Sequence, residues 1–346
     1  MLAPTLNEER GISTRVVRLT KALQAMGCEV QAYGYQDKKN PEEVNWRADH
    51  IHIIDPVSYF HSLDCSSDHC FRSRVSKLRS YSVQVTCSID SVVRFATRNN
   101  FGIANILLGA KKVIVPNAMV GRQISSLIRD NVKIEVVSQG TDPHGLDKYS
   151  VLFERRLQFE MRSTDRMVLF AGRIDQHCQL DVFARVMQRV QAVRQQVKAI
   201  VLGPIVDVTY AGGILGKLKE AGVHYLGSVD RALMGMAYDR ASLVWHPGQD
   251  IDISASILEA MSRRKPTMAH QAAATFDVYD AQAMMTYVDE LGAFDQILRL
   301  LDDERFAKSL GTAGQEFVSH HRTPAVEAQK LIDAVAFSGV NAKMGG

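Results

Sequence analysis

Short apolar runs alternate with amphipathic stretches along the first 140 residues of the chain. Each short apolar run predicts a buried strand, and each stretch with a 3.6-residue hydrophobic period predicts a helix. The stripe from Ile12 to Met26 is the most regular helix, and it ends at Gly27, a typical residue after a helix. The predicted strands are residues 29–35, 50–54, 82–87, 112–115 and 133–137. Because strands that alternate with helices through short connections form parallel sheets, this half is predicted to be Rossmann-like.

The same alternation returns after a charged segment, residues 139–162, which we interpret as a connection between two domains. The strands predicted in the second half are residues 167–171, 199–202, 223–226, 243–245 and 266–269. Helices complete the chain, and the last one, at residues 322–338, is expected to pack back on the first domain. We therefore predict an α/β protein with two facing Rossmann-like domains, residues 1–145 and 146–321, and a cleft between them.

The second domain is organised around residues 241–270. This stretch predicts a strand, a polar turn, a helix over residues 253–263 and a second strand. The apolar residues of the helix recur at four-residue steps and pack on the sheet, whereas Ser254 and Glu259 lie on the opposite face. The free N–H groups of its first turn point into the crevice where a doubly wound sheet binds phosphorylated ligands. The sequence thus predicts a phosphate ester site next to Ser254.

The composition is that of an ordinary globular chain. Of the 346 residues, 46% are hydrophobic and 23% are charged. No apolar run approaches the roughly 18 residues of a membrane span, and the start of the chain lacks the basic and apolar regions of a signal peptide. A cytoplasmic protein is expected, with peripheral attachment to the inner face of a membrane as an alternative.

The five cysteines are too irregularly spaced for a disulfide framework. His61, Cys65, His69 and Cys70 are close enough in sequence to suggest zinc. No second ligand pair accompanies them, so reduced thiols in a loop are the favoured interpretation. We predict no metal site.

The net charge of +3 hides a strongly basic segment. Residues 69–133 carry eleven Lys or Arg against two Asp, which leaves a local charge of +9. A solvated surface explains most such runs, and an anionic partner such as nucleic acid or acidic lipid explains others. Arg72, Arg74 and Lys77 surround an apolar face on a predicted helix, which would suit a membrane surface.

Seven blocks of sequence follow one another in an order typical of one enzyme family. The blocks are ADHIHIID (48–55), KVIVPNAMVGRQI (112–124), KIEVVSQGTD (133–142), VLFAGRID (168–175), AIVLGPI (199–205), VHYLGSV (223–229) and SILEAMSRRKP (256–266). With them, the chain resembles family 4 of the nucleotide-sugar glycosyltransferases, which have the GT-B fold, over nearly its whole length. A strand that ends in glycine is common, so one block is a weak signal and the ordered set is a strong one.

The resemblance implies a retaining, metal-independent transfer from a nucleotide-diphosphate sugar, bound mainly by the second domain, to an acceptor held mainly by the first. Arg173 matches the family's diphosphate arginine, Glu259 matches the acid that binds the ribose hydroxyls, and we expect both to be catalytic residues. Cations and helix N-termini at the leaving diphosphate lower the barrier as its charge develops. No cofactor is expected beyond the nucleotide sugar, with a UDP-sugar favoured over a GDP-sugar.

Other positions complete the donor site that the resemblance implies. Gly11 matches the first glycine-rich loop, and the backbone around Gly227 would meet the nucleobase. The expected donor-binding residues are Gly11, Arg173, Gly227, Ser228, Val229, Asp250, Asp252, Ile253, Ser254, Ala255, Glu259 and Arg264. Simpler structural roles compete: Arg173 could pair with a nearby carboxylate, and Glu259 could pair with Arg263 one helical turn later.

The acceptor-side candidates come from the first domain. Ser88 stands where many family members have a histidine near the reacting centre, and Asp90 follows it. Together with Arg72, Arg74 and Lys77, these residues suggest a polyanionic acceptor: modified DNA, an acidic lipid or an anionic glycan.

Departures from the family pattern leave two interpretations open. Ile251 replaces the first glutamate of the family's paired motif, Cys178 replaces the diphosphate lysine, and Arg264 replaces a glycine. In one interpretation the site is remodelled, with Asp250 or Asp252 replacing the glutamate and Arg264 restoring the positive charge. In the other, the fold is kept without the chemistry, and the protein acts as a silent partner or regulatory subunit. The first is favoured because the arginine, the ribose acid and the helix start are retained.

Overall fold

A computed structural model describes residues 1–3, 11–34, 48–54, 81–84, 107, 109–128, 133–248, 253–273 and 281–335. Several residues singled out by the sequence lie outside these ranges. They are the cluster of His61, Cys65, His69 and Cys70, the acceptor-side candidates Arg72, Arg74, Lys77, Ser88 and Asp90, and the two acids Asp250 and Asp252.

The chain divides into two compact units, residues 1–140 with 323–346, and residues 141–322. Each unit is built on a six-stranded parallel sheet, which confirms the predicted α/β class with two Rossmann-like domains. The boundary after residue 140 lies five residues earlier than the sequence suggested, and the end of the chain belongs to the first unit.

The first unit has strand order β2-β1-β3-β4-β5-β6. Its strands are β1 (Leu2–Ala3), β2 (Tyr33–Gly34), β3 (Ile51–Ile54), β4 (Tyr81–Gln84), β5 (Lys112–Val115) and β6 (Ile134–Val136), and its helices are α1 (Gly11–Ala25), α2 (Ala118–Ile128) and α10 (Pro324–Val335). The amphipathic stripe of α1 buries Leu19 and Leu23 against Leu331 of α10. Burial of this stripe is what holds the last helix on the first unit.

A buried ion pair joins the same two helices. Arg15 on α1 donates from Nε to Oε1 of Glu327 on α10 at 2.7 Å, Nη2 lies 2.6 Å from the same oxygen, and the two side chains are 6% and 3% exposed. The other carboxylate oxygen accepts the backbone N–H of Gly140 at 2.8 Å. A Cβ on Gly140 would lie 2.6 Å from the carbonyl oxygen of Thr323. The two chain segments therefore touch at the unit boundary without side chains between them.

Two histidines of the first unit share one hydroxyl. His50 Nε2 and His52 Nδ1 each lie 2.7 Å from Oγ of Ser82, which is fully buried on β4. Burial lowers the pKa of His50 to about 4, and the nearby charge of Lys111 acts in the same direction. The fold therefore holds this imidazole neutral.

The lowered pKa of His50 predicts an acid-sensitive first unit. An unfolded histidine titrates near pH 6.5, so between pH 6.5 and about 4 the unfolded chain binds more protons than the native chain. The free energy of unfolding should fall as the pH is lowered through that window. Urea unfolding at pH 7 and pH 5 should show a smaller pH effect for His50→Gln than for wild type. The control variant is His320→Gln, at an exposed histidine. Equal dependence of the free energy of unfolding on pH for wild type and His50→Gln would contradict the prediction.

The second unit has strand order β12-β11-β10-β7-β8-β9. Its strands are β7 (Arg166–Ala171), β8 (Val197–Leu202), β9 (Val223–Tyr225), β10 (Ala241–His246), β11 (Thr267–His270) and β12 (Met285–Tyr287). Its helices are α3 (Val151–Glu160), α4 (Leu180–Val193), α5 (Val208–Glu220), α6 (Met234–Arg240), α7 (Ala255–Ser262), α8 (Glu290–Asp302) and α9 (Glu304–His321). Apolar clusters cover both faces of this sheet, which explains why its central strands are almost continuously hydrophobic.

The sequence missed two features of the second unit. Strand β12 is only three residues long and its side chains are mostly half-buried, so it lacks a clear apolar run. The sequence pattern predicts a helix near residues 215–221, whereas α5 begins at Val208 because Asp207 caps it by accepting the N–H of Tyr210 at 2.9 Å. Its glycines at 212, 213 and 216 weaken the helical pattern in the sequence.

Length and hydropathy decide whether any of the described helices can cross a membrane. None of these helices combines the length with the apolar character that crossing a bilayer requires.

Gly311 on α9 packs closely against the backbone that follows α7, so a larger residue at this position should destabilise the protein. A Cβ on Gly311 would lie 2.2 Å from the carbonyl oxygen of Arg264, so Gly311→Ala should lower the free energy of unfolding by about 2 kcal/mol through overpacking. Gly216 on α5 has open space around it. Gly216→Ala should instead stabilise the protein by about 0.5–1 kcal/mol. Urea unfolding of both variants tests this contrast, which equal stabilities would refute.

Candidate functional site

Glycines follow three adjacent strands of the second sheet at its carboxyl edge: Gly172 after β7, Gly203 after β8 and Gly227 after β9. A Cβ on Gly203 would lie 1.7 Å from the carbonyl oxygen of Gly172, and the φ of Gly203 is +148°. Its N–H donates to the carbonyl oxygen of Gly227 at 2.9 Å. We call these three residues the glycine floor. Because no side chain rises from it, a ligand can approach the backbone closely.

Arg173 stands beside the glycine floor, directly after Gly172. Its side chain is 72% exposed, and its nearest acidic partner is Oδ2 of Asp175 at 3.8 Å. Asp175 mainly caps the next turn by accepting the N–H of His177 at 3.0 Å. An exposed ion pair at this distance contributes little. The competing role of Arg173 as a structural ion pair is therefore weak, and its guanidinium is accessible to an anion.

The resemblance to family 4 places a diphosphate-binding lysine at the position of Cys178. In the structure, the side chain of Cys178 faces the interior of the second unit. It is 3% exposed, and its Sγ donates to the carbonyl oxygen of Asp175 at 2.7 Å. Burial raises the pKa of the Cys178 thiol. A buried neutral thiol offers no positive charge, so this chain has no substitute for the lysine at this position.

The amino end of α7 lies at the same edge of the sheet, after β10. Ser254 is the N-cap, in extended conformation, and its hydroxyl accepts the N–H of Ile257 at 3.4 Å. The helix starts at Ala255, two residues later than predicted, and Ile253 is buried in the core. The positive end of the α7 dipole thus points toward the carboxyl edge of β10, as the phosphate hypothesis requires.

Glu259 is held by two partners within the second unit and is only 6% exposed. Oε1 accepts a hydrogen bond from Nε of Arg231 at 2.9 Å and forms an ion pair with Nη2 of the same guanidinium at 2.7 Å, and Oε2 accepts the hydroxyl of Tyr238 at 3.0 Å. A carboxylate has about four lone-pair sites. Since two hydrogen bonds are already made, Glu259 retains room for about two more. Burial, reinforced by Glu259, raises the pKa of the Tyr238 hydroxyl well above its usual value, so Tyr238 remains a donor.

The predicted alternative partner of Glu259, Arg263, makes other contacts. It donates from Nε to Oδ1 of Asp239 at 2.8 Å and from Nη1 to Oδ1 of Asp147 at 2.7 Å. The i,i+4 pair with Glu259 was therefore the wrong structural alternative. The ion pair instead comes from Arg231, which lies 28 residues away in sequence and carried no recognisable sequence signal.

Arg264 lies at the opposite end of α7 from Ser254. The eight residues of this helix span about 12 Å. Its Nε donates to Oε1 of Gln315, and its side chain lines a cavity of about 270 Å³ with Arg166 and the amino end of β10. This position does not allow Arg264 to restore the charge lost at Cys178. It occupies the family's glycine position in the left-handed conformation, with φ of +57°.

The remaining predicted donor residues are dispersed. Ser228 is exposed and Val229 is partly buried, both directly after Gly227. Gly11 is the first residue of α1 in the other unit, and the residues before it lie outside the described ranges. Their contacts with a donor stay predictions.

The Arg231–Glu259 pair predicts a structural cost for removing Glu259. Glu259→Ala leaves a largely buried guanidinium without its acid and the buried Tyr238 hydroxyl without an acceptor, so the free energy of unfolding should fall by about 3 kcal/mol. The control is Glu304→Ala, which removes a 66% exposed partner of Lys308 and should change stability by less than about 1 kcal/mol. Urea unfolding followed by circular dichroism measures both variants. Equal losses would contradict the assigned pair.

Comparisons with known proteins bear on the fold and on this edge of the sheet. Residues 165–303, within the second unit, match the family model described as glycosyl transferases group 1. No curated protein matches the chain in sequence. Many solved structures share its fold at low sequence identity.

Three solved structures illustrate the likeness. Sucrose-phosphate synthase from Thermosynechococcus elongatus is 16% identical over 96% of both chains, with a TM-score of 0.74. Anabaena HepE in complex with UDP and glucose is 12% identical, covers 96% of this chain and 97% of its own, and has a TM-score of 0.72. WaaG, a glycosyltransferase involved in lipopolysaccharide biosynthesis, is 10% identical over 97% and 100% of the chains, with a TM-score of 0.67.

At these identities the structures show the fold alone, which is GT-B. The family model adds that the carboxyl edge described above lies within the part of the chain that is similar to group 1 glycosyl transferases. Fold and domain together support a glycosyltransferase of GT-B architecture.

Proposed function

We propose that this protein transfers a sugar from a nucleotide-diphosphate sugar to an acceptor with retention of anomeric configuration, as a family 4 glycosyltransferase. The observation that carries the proposal is the exposed Arg173 beside the glycine floor, inside the group 1 domain. The amino end of α7 at Ser254 adds a second source of positive potential on the neighbouring strand. Together they form a site suited to a diphosphate.

The chemistry follows from where charge develops. As the bond between the anomeric carbon and the diphosphate oxygen breaks, negative charge accumulates on the leaving group. Arg173 and the first-turn amides of α7 would stabilise that charge more strongly in the transition state than in the ground state. Because protein groups supply this stabilisation, the proposed reaction is metal-independent and needs no cofactor beyond the nucleotide sugar.

The donor is proposed to be a UDP-sugar rather than a GDP-sugar. HepE, which shares the fold, has been crystallised with UDP and with UDP-glucose. Glu259 remains the proposed ribose-binding acid, and the acceptor positions that Arg231 and Tyr238 leave open suit ribose hydroxyls. Asp250 and Asp252, proposed to replace the missing glutamate, lie outside the described residues.

The acceptor and the cellular location remain proposals from sequence. The basic segment 69–133 and the candidates Ser88 and Asp90 favour a polyanionic acceptor in the first unit. We propose a cytoplasmic protein that reaches such an acceptor in solution or at the inner face of a membrane.

A second candidate is a catalytically silent GT-B protein that acts as a partner or regulatory subunit. The buried Cys178 favours it, because the lysine's charge is missing and Arg264 cannot replace it. The loss of one cation from a diphosphate site costs about 3–4 kcal/mol of transition-state stabilisation.

Calorimetry and turnover separate the two candidates. Wild type should bind UDP and UDP-glucose and release UDP from UDP-glucose, and Arg173→Ala should bind UDP about tenfold more weakly and turn over about 100-fold more slowly. The control is Lys217→Ala, an exposed cation on α5. Binding without turnover would favour the silent candidate. Absence of nucleotide binding would refute the proposed function.

A further inference from the structure

A second exposed arginine stands at the other end of the glycine floor. Arg156 lies on α3, the helix that precedes β7, and Nη2 of its guanidinium is 3.8 Å from the position a Cβ on Gly227 would take. Helix α3 buries Phe153 and Leu157 in the core and leaves Arg156 exposed. The core contacts of α3 therefore fix the helix, and its free face presents Arg156 to the carboxyl edge of the sheet.

The guanidinium of Arg156 is available. Within the described ranges it takes part in no hydrogen bond or ion pair, whereas Arg231 and Arg263 are committed to carboxylates. Its positive charge reaches the end of β9. Burial raises the pKa of Tyr225, and Arg156 opposes that shift. The Tyr225 hydroxyl donates to the carbonyl oxygen of Gly203 at 2.9 Å, so Tyr225 lies at the glycine floor. The positive charge of Arg156, which acts on Tyr225, therefore lies close to the glycine floor as well.

The strand order places the candidate residues in a row along this edge of the sheet. The adjacent strands β10, β7, β8 and β9 place Ser254, Arg173, Gly203 and Gly227 in that sequence along the edge. Neighbouring strands are about 4.8 Å apart, so the ends of β7 and β9 are separated by about 10 Å. A nucleoside that extends from a diphosphate at Ser254 and Arg173 over the glycine floor, which carries no side chains, reaches Gly227 and Arg156.

We propose that Arg156 is a donor-binding residue that contacts the nucleobase of the nucleotide. This inference rests on the proposed function, because it uses the diphosphate position assigned to Arg173. A planar guanidinium stacks on an aromatic ring and donates in a fixed fork to carbonyl oxygens. A base with exposed carbonyl oxygens, such as uracil, provides both the ring and the acceptors. Arg156 thus adds a cation to the site on the side opposite to the missing lysine.

The helix offers a matched control. Arg155 is the preceding residue, is equally exposed and makes no hydrogen bond or ion pair among the described residues. It projects about 100° away around the helix. Both Arg155→Ala and Arg156→Ala should retain the wild-type melting temperature, since neither side chain supports the core.

Calorimetry with UDP, UMP and pyrophosphate tests the inference. Arg156→Ala should bind UDP and UMP about tenfold more weakly and pyrophosphate as tightly as wild type, whereas Arg155→Ala should match wild type for all three. Arg173→Ala should lose affinity for pyrophosphate and UDP. With UDP-glucose as substrate, Arg156→Ala should raise KM about tenfold and leave kcat unchanged, because a contact with the base is the same in the ground and transition states.

Three results would overturn the inference. UDP affinity of Arg156→Ala within twofold of wild type, or equal to that of Arg155→Ala, would remove Arg156 from the site. An equal loss for pyrophosphate and UDP would assign Arg156 to the phosphates instead of the base. Failure of wild type to bind UDP would refute the proposed function itself, and with it this inference, whereas the first two results leave the proposed function intact.

Discussion

The close approach of three backbone segments at the carboxyl edge of the second sheet is the constraint on which the site depends. Gly203 can exist there only because it lacks a Cβ, since one would collide with the carbonyl oxygen of Gly172. Its N–H continues the ladder to Gly227. The packing of two buried faces holds the strands at this spacing. What results is a floor of backbone with the exposed Arg173 beside it, which is where we propose that the nucleotide binds.

The distribution of charge around this floor differs from the pattern expected for the family. The thiol of Cys178 is buried and neutral, and Arg264 serves the opposite edge of the sheet. Positive charge instead comes from Arg173 at one end and, by inference, from Arg156 at the other. Arg231 and Tyr238 occupy about half of the acceptor positions of Glu259, which makes it as much a structural acid as a ligand-binding one. The site therefore keeps a positive potential with a different set of side chains.

The fold was accessible from the sequence because buried parallel strands and amphipathic helices leave strong periodic signals. The elements from β10 to β11 were predicted to within two residues at each boundary, since the apolar spacing is regular. Contacts between distant segments left no such signal. The pairing of Glu259 with Arg231, the inward turn of Cys178 and the position of Arg156 all depend on packing that local patterns do not encode. The role of Arg264 was misjudged although the predicted helix already placed it past the carboxyl end; what the sequence did not show is that Arg264 donates to Gln315 on α9 there.

The most direct test of the account is hydrogen–deuterium exchange of the full chain with and without UDP. If the nucleotide lies on the glycine floor, amides of residues 172–174, 227–229 and 254–257 should exchange more slowly when UDP is bound. Protection confined to other segments, or an unchanged exchange pattern at saturating UDP, would contradict the central claim that this edge of the sheet binds the nucleotide.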